Sequence, residues 1–414
     1  MGGKVATGSK VNPWQLMAVS AGRIWRDLGG SNDNHFQGVT MPKNEGGLTT
    51  VHVSTQKTWY GGELQAFLLI CGLRERGHRV IVFARRGGEF SARARDAGFE
   101  VREIERRGRG PKSLWTMRQW LKEIRPDITH AHDSHALTAV GLASIGLKIP
   151  LRVAARRVDF PIRSALKFTR LVDVVIAISN PVAQICRDGG IPVEMLRVVH
   201  SGVDPSRVRT GCRVRGREVL DVSEDEILVL MVANLTHHKG HDTLLRAMPS
   251  ILDRYPNVRL ALAGSGELDE PLHQQMHVLG LDHSIRFLGF RSDIPDLLAA
   301  ADLFVMPSLQ EGLCTSLIDA MFAELPVIAT SAGGIRDLLG LDSSEGPCGH
   351  IVEPGDSKSL SDAVLTAIED PHLVNRLAQR GLVRAKTQFT HTRMIEGTLS
   401  VYRETPTLPL RQSA

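Results

Sequence analysis

The sequence lacks the long apolar runs that cross a membrane. Hydrophobic residues make up 42% of its 414 residues, but no run of them approaches the roughly 18 residues that a transmembrane helix needs. Residues 1–48 are polar and rich in glycine, without the basic-then-apolar order of a secretory signal. We therefore expect a cytoplasmic globular protein, in which residues 1–47 form a disordered extension.

Cysteine pairs and aromatic residues are scarce as well. The five cysteines stand far apart and form no Cys-x-x-Cys motif, which excludes the common zinc and redox motifs. Aromatic residues are only 5% of the chain and do not alternate with basic residues, so nucleic acid is not an expected partner. The rest of the composition is that of an ordinary globular protein, and the length suits two domains.

Charge is distributed unevenly along the chain. Residues 1–219 contain 35 lysines and arginines and 19 aspartates and glutamates. Residues 220–414 contain 15 lysines and arginines and 26 aspartates and glutamates. A basic half attracts an anionic ligand or an anionic membrane surface. A solvated surface without any partner has the same composition, so the charge count leaves both interpretations open.

The spacing of apolar segments predicts two parallel sheets in tandem. In the first half the predicted strands are 48–54, 79–84, 100–104, 127–131, 152–155 and 172–178. After residue 220 they are 227–232, 258–263, 285–288, 303–306 and 327–329. Strands that alternate with helices of ten or more residues form a parallel sheet with helices on both faces. The fold class is therefore α/β, with doubly wound domains at 48–205 and 223–389 and a linker at 206–222.

Ligands of doubly wound sheets bind beyond the carboxyl ends of the strands, and the first half has two distinctive turns there. Gly61 and Gly62 follow the first strand and open a helix, so a ligand can approach the backbone closely; the same pair is often only a turn. Three histidines lie close together at the end of the fourth predicted strand and in the turn after it: His130, His132 and His135. A tight turn does not easily direct three imidazoles at one ion, so we expect hydrogen bonds to a sugar, or a structural role, rather than a metal site.

Two turns of the second half bear on phosphate binding. Residues 233–240 (ANLTHHKG) follow a strand and open a helix, which places Lys239 to supply positive charge to a diphosphate, although a loop lysine is often only solvated. Gly264 begins a Gly-Ser-Gly turn after the next strand. The third glycine of the dinucleotide fingerprint is absent because position 269 is Asp269, which disfavours a nicotinamide enzyme.

The segment 307–321 (PSLQEGLCTSLIDAM) has the strongest functional pattern. Glu311 and Gly312 lie in a loop after a predicted strand, and Thr315 or Ser316 is expected to cap the helix that carries Asp319. The positive helix start then lies between two carboxylates. Such a segment can hold a nucleotide sugar, with Glu311 on the sugar hydroxyls, the helix start on the diphosphate and Asp319 on the ribose. Asp319 can equally serve only to complement the helix dipole.

In this order, the motifs resemble family 4 of the retaining glycosyltransferases, which have the GT-B fold of two Rossmann-like domains facing a cleft. The resemblance covers about residues 48–402. It rests on the turns named above, on the linker motif Ser201-Gly202-Val203-Asp204, and on Pro326-Val327-Ile328-Ala329-Thr330. It implies transfer of a sugar from a nucleotide diphosphate donor with retention of configuration, and a C-terminal helix (390–404) that packs back on the first domain.

The resemblance also implies individual roles. The catalytic residues are His132 near the reacting carbon, Lys239 on the diphosphate and Glu311 on the donor sugar. The implied donor-binding set is Gly62, Asn234, Lys239, Gly264, Phe290, Glu311, Gly312, Leu313, Thr315, Ser316 and Asp319. Two positions depart from the family pattern, because Asp319 stands where glutamate is usual and Asn234 where arginine is frequent.

The expected partners are a nucleotide sugar and an unidentified glycan or lipid-linked acceptor, as in polysaccharide or lipopolysaccharide synthesis. A peripheral contact of the basic half with an anionic membrane is a further expectation. No Asp-x-Asp motif is present, and we expect neither a metal nor another cofactor. Two alternatives stay open: a nucleotide-sugar epimerase on the same fold, and a non-catalytic protein that binds nucleotide sugars.

Overall fold

The computed structural model describes residues 47–105 and 108–404. The extension predicted at 1–47 therefore lies outside the described residues, apart from Gly47. Among the described residues, no helix combines the length and the apolar character needed to span a membrane.

The first half forms a parallel sheet of seven strands in the order β3-β2-β1-β4-β5-β6-β7. The strands are β1 (Thr49–Ser54), β2 (Arg79–Arg85), β3 (Glu100–Ile104), β4 (Ile128–Ala131), β5 (Leu151–Arg156), β6 (Val174–Ala177) and β7 (Leu196–Val198). Strand order reverses between β1 and β4, where a doubly wound sheet opens a crevice at its carboxyl edge. The six predicted strands are present. Only β7 was missed, since three residues are too few for a recognisable pattern.

The second half forms a parallel sheet of six strands in the order β10-β9-β8-β11-β12-β13. They are β8 (Ile227–Val232), β9 (Val258–Ala263), β10 (Ile285–Gly289), β11 (Leu303–Met306), β12 (Val327–Thr330) and β13 (His350–Val352). The order reverses between β8 and β11, so the loops carrying Lys239 and Glu311 lie side by side. The missed strand, β13, again has three residues.

Helices cover both faces of each sheet. In the first half they are α1 (Gly61–Glu75), α2 (Glu89–Asp96), α3 (Pro111–Ile124), α4 (Ser134–Ser144), α5 (Leu166–Leu171) and α6 (Asn180–Asp188). Those that follow are α7 (Arg213–Leu220), α8 (His241–Arg254), α9 (Asp269–Val278), α10 (Ile294–Ala300), α11 (Thr315–Phe322), α12 (Ile335–Leu339), α13 (Ser357–Glu369), α14 (Pro371–Gln388) and α15 (His391–Glu404).

The predicted linker at 206–222 contains helix α7, which packs against α10. The buried Arg217 donates to Asp302 Oδ2 at 2.7 Å, so α7 is anchored to the second half. Glycine at 216 is required by close packing, because a Cβ there would lie 2.2 Å from the carbonyl oxygen of Asp296. In the sequence this glycine suggests a chain break, whereas in the structure it lets two helices touch.

The last helix, α15, returns to the first half. Its apolar residues join the core formed by α1 and by one face of β2, β4, β5 and β6, and Tyr402 is completely buried there. The chain enters α15 beside the linker, where Val203 pairs with Thr390 in a parallel bridge. The hydroxyl of Tyr402 lies 2.6 Å from His130 Nδ1, so this helix reaches the carboxyl end of β4.

Candidate functional site

The carboxyl edges of the two sheets meet at the starts of helices α1 and α11. A Cβ placed on Gly61 would lie 3.8 Å from Thr315 Oγ1. The Ser179 hydroxyl, which follows β6, donates to the carbonyl oxygen of Gly312 at 2.9 Å. The motifs predicted from both halves of the sequence therefore line one site, although they are some 250 residues apart.

Helix α11 begins without a side-chain cap. Its N-cap residue is Cys314, which makes no capping hydrogen bond, and Thr315 and Ser316 are already its first two helical residues. The prediction that Thr315 or Ser316 caps this helix is therefore wrong. Burial raises the pKa of the Cys314 thiol to about 11, so the thiol is neutral. The backbone N–H groups of the first turn are consequently available to an anion.

Lys239 and Glu311 form a buried ion pair beside this helix start. Their Nζ and Oε2 atoms are 2.5 Å apart, and the two side chains are only 16% and 9% exposed. Gly240, at φ 74°, makes the approach possible, because a Cβ there would lie 1.9 Å from the carbonyl oxygen of Pro307. Burial acts to lower the pKa of Lys239, but the attraction of Glu311 outweighs it and the net pKa is raised. The lysine is thus firmly cationic.

Asp319 is buried one turn further along α11. Burial raises its pKa to about 6, and the nearby Arg207 offsets only part of that effect. The Arg207 guanidinium lies 3.6 Å from Oδ2, while Oδ1 has no hydrogen-bond partner among the described residues. The carboxylate can therefore accept hydrogen bonds from hydroxyl groups. Arg207 lies in the predicted linker outside any motif, so its place beside Asp319 was not predicted from the sequence.

His132 lies in a cluster of three stacked imidazoles whose third member is His52, not His135. His52 Nδ1 and His132 Nε2 are 3.0 Å apart, and His130 stacks on His132 with ring centroids separated by 4.5 Å. His135 instead lies in the first turn of α4, where its N–H donates to Asp133. Burial lowers the pKa of His52 to about 3 and holds those of His130 and His132 well below the usual value, so all three rings are neutral.

These three histidines are also the described residues best placed to hold a metal ion. One ring nitrogen of each lies within 4.8 Å of the others. Two of the rings already share a hydrogen bond, and the third is bound to Tyr402. The cluster was not predicted from the sequence, because His52 lies 80 positions before His132 and is brought opposite His130 only by the β1–β4 register.

Comparison with known proteins decides the family. The model for glycosyl transferases group 1 matches residues 215–384, and the model for glycosyltransferase family 4 matches residues 59–207. The chain belongs to the family 4 glycosyltransferases.

Relatives and solved structures agree with this assignment. The lipopolysaccharide core biosynthesis glycosyltransferase LpsE of Rhizobium meliloti is 27% identical over 353 residues, covering 84% of this chain and 97% of LpsE. The uncharacterized glycosyltransferase MJ1607 of Methanocaldococcus jannaschii is 32% identical over 172 residues, but the match spans less than half of either protein, 40% of this chain and 44% of MJ1607.

Among structures, Anabaena HepE in complex with UDP and glucose has a TM-score of 0.75 at 24% identity, covering 86% of this chain and all of HepE. The likeness confirms the predicted GT-B fold of two Rossmann-like domains.

The other residues of the predicted donor-binding set have different environments in this glycosyltransferase. Gly264 packs against the loop after β8, because a Cβ there would lie 1.9 Å from the carbonyl oxygen of Ala233. Asn234 and Phe290 are exposed, whereas Leu313 is buried next to Gly312. The close backbone packing of Gly264 therefore shapes the loop that carries Asn234.

Proposed function

We propose that this protein is a retaining glycosyltransferase that moves a sugar from a nucleotide diphosphate to an acceptor in cell-envelope polysaccharide or lipopolysaccharide synthesis. The observation that carries the proposal is the buried Lys239–Glu311 pair at the uncapped start of α11. Asp319 on the same helix supplies a carboxylate for the ribose hydroxyls. Support for the pathway comes from LpsE, named for lipopolysaccharide core biosynthesis, and support for the donor from HepE, solved with UDP-glucose.

The proposed chemistry follows from these charges. Breaking the sugar–phosphate bond develops negative charge on the leaving diphosphate, which the Lys239 ammonium and the N–H groups of α11 stabilise. Glu311 orients the donor sugar through its hydroxyls. The neutral His132 lies at the acceptor side, where it can accept a hydrogen bond from a sugar hydroxyl. The acceptor hydroxyl attacks from the face of the leaving group and gives its proton to the departing diphosphate oxygen, so the configuration is retained.

Nucleotide binding tests the proposal directly. We expect one of UDP, GDP, ADP, CMP and dTDP to raise the melting temperature of the full chain, because a ligand at 100 times its Kd adds about 2.7 kcal/mol to the free energy of unfolding. We propose that no metal is needed, so the shift is equal with magnesium and with EDTA. Failure of every nucleotide to stabilise the protein contradicts the proposal. Turnover of the donor without release of nucleotide indicates an epimerase instead.

A peripheral membrane contact is a second part of the proposal. The chain from the end of β5 to the first residue of α5 exposes Phe160 and Leu166, at 55% and 62%, next to the exposed Arg163. Exposed apolar and basic side chains together suit an anionic bilayer surface. We expect the protein to bind phosphatidylglycerol vesicles and to be released as salt rises from about 0.05 to about 0.5 M, since screening weakens surface attraction. Binding that is insensitive to salt, or equal on phosphatidylcholine vesicles, contradicts this part.

A further inference from the structure

Arg157 joins the two halves of the site. It directly follows β5 in the first half, and its Cδ lies 3.6 Å from where a Cβ of Gly62 would be. Its carbonyl oxygen lies 2.7 Å from where a Cβ of Gly312 would be. The residue therefore lies between the turn that opens α1 and the loop that precedes α11. Arg157 belongs to none of the sequence motifs, so its place in the site could not be predicted from the sequence.

The described residues provide no counter-ion for the Arg157 guanidinium. Its Nε is buried without a hydrogen-bond partner, and no carboxylate among residues 47–105 and 108–404 lies within ion-pair distance. Glu63 attracts it from farther away, but that carboxylate accepts a hydrogen bond from the backbone N–H of Tyr60. Burial lowers the pKa of Arg157 to about 10, which leaves it cationic at neutral pH. Arg157 is half-buried, and a charge that is partly removed from water without an ion-pair partner is costly unless a ligand completes it.

The surroundings of Arg157 favour an anion. The positive N-terminal ends of α1 and α11 lie close together beside Arg157. A Cβ added to Gly61, at the start of α1, would lie 3.8 Å from Thr315 Oγ1, at the start of α11. Lys239 alone does not neutralise a diphosphate there, because Glu311 already pairs with it at 2.5 Å. Asn234 adds no charge. Arg157 is the cation near this point for which the described residues provide no ion-pair partner.

We propose that Arg157 binds the donor diphosphate, so that the leaving group is held by one cation from each half of the protein. The inference rests on the proposed function, since it assumes a nucleotide diphosphate at the start of α11. A planar guanidinium can donate two parallel hydrogen bonds to phosphate oxygens, which Lys239 cannot. Nucleotide binding then requires both halves to be in place around the diphosphate.

Calorimetric titration of the full chain with UDP and with uridine tests the inference. If a nucleoside diphosphate other than UDP stabilises the wild type, that nucleotide and its nucleoside are used in place of UDP and uridine. We expect Arg157→Gln to weaken UDP binding about 10- to 150-fold, the range for losing hydrogen bonds to a charged group. Uridine lacks the phosphates, so its affinity is expected to stay unchanged. Arg157→Lys is expected to recover part of the loss, because it keeps the charge without the fork.

Arg170→Gln is the matched control, because it removes an equal charge from an exposed position of α5 in the same half of the protein. We expect it to leave UDP affinity within about twofold of the wild type. If Arg157→Gln binds UDP within about twofold of the wild type, the inference is overturned. It is also overturned if Arg157→Gln has an unchanged melting temperature and binds UDP and uridine more weakly by the same factor. If Arg157→Gln does not fold, Arg157→Lys decides the question. Lysine keeps the charge but lacks the planar guanidinium, so wild-type UDP affinity in Arg157→Lys also counts against the inference. If the wild type binds no nucleotide diphosphate, the proposed function itself has failed.

Discussion

Lys239→Met is expected to lower kcat by about 10²- to 10³-fold, the usual effect of losing one group that stabilises developing negative charge. It is also expected to lower the free energy of unfolding by about 3 kcal/mol, because breaking a buried ion pair leaves the other charge uncompensated. The charge left behind is Glu311, whose side chain is only 9% exposed. Initial rates with saturating donor, together with urea denaturation, measure the two effects.

The double variant Lys239→Met/Glu311→Gln separates the two roles of the pair. It removes both charges, so we expect most of the lost stability to return while activity stays low. Lys358→Met is the matched control, since Lys358 pairs with Asp362 on the surface and its side chain is 86% exposed. Exposed pairs contribute about 0–1 kcal/mol, so little change is expected. Full activity in Lys239→Met, or activity restored with stability in the double variant, contradicts the assigned role.

Asp319→Asn is expected to stabilise the empty protein at neutral pH. Burial raises the pKa of Asp319 from 3.8 to about 6, so the folded state holds a proton more tightly than the unfolded chain. The free energy of unfolding of the wild type therefore falls as pH rises through this range, and the loss is complete above pH 6. The difference corresponds to about 3 kcal/mol as an upper value, which the neutral asparagine avoids. Melting temperatures at pH 4.5 and 7.5 are expected to show a clearly larger gain at the higher pH, because at pH 4.5 only about a third of the difference has developed.

The same variant is expected to bind nucleotide more weakly. A carboxylate accepts stronger hydrogen bonds from ribose hydroxyls than an amide does, so we expect a loss of about tenfold at pH 7.5. Wild-type affinity is expected to fall below pH 6, as Asp319 takes up a proton, whereas Asp319→Asn shows no such pH dependence. Asp362→Asn, at an exposed site, serves as the control. If the variant and the wild type bind nucleotide equally at pH 7.5, Asp319 does not contact the ribose.

Several features of the site follow from short-range sequence patterns. Uninterrupted apolar runs such as 227–232 mark strands buried on both faces, and their spacing is enough to predict two parallel sheets. The turns after the strands carry Gly61, Lys239 and Glu311 in an order that indicated the family. Parallel strands place all their carboxyl ends on one edge, which is why these distant motifs could be expected to meet.

Other features depend on packing between segments far apart in the chain. His52 joins His132 across the β1–β4 register, Tyr402 reaches His130 from the last helix, and Arg207 faces Asp319 from the linker. The sequence alone determined the two-sheet fold, the family and the location of the turns that we propose bind phosphate, because each depends on local periodicity or on motifs of a few residues. Only the tertiary structure decided which charges pair and that Arg157 has no ion-pair partner among the described residues, because burial and ion pairing depend on which side chains the fold brings within a few ångströms.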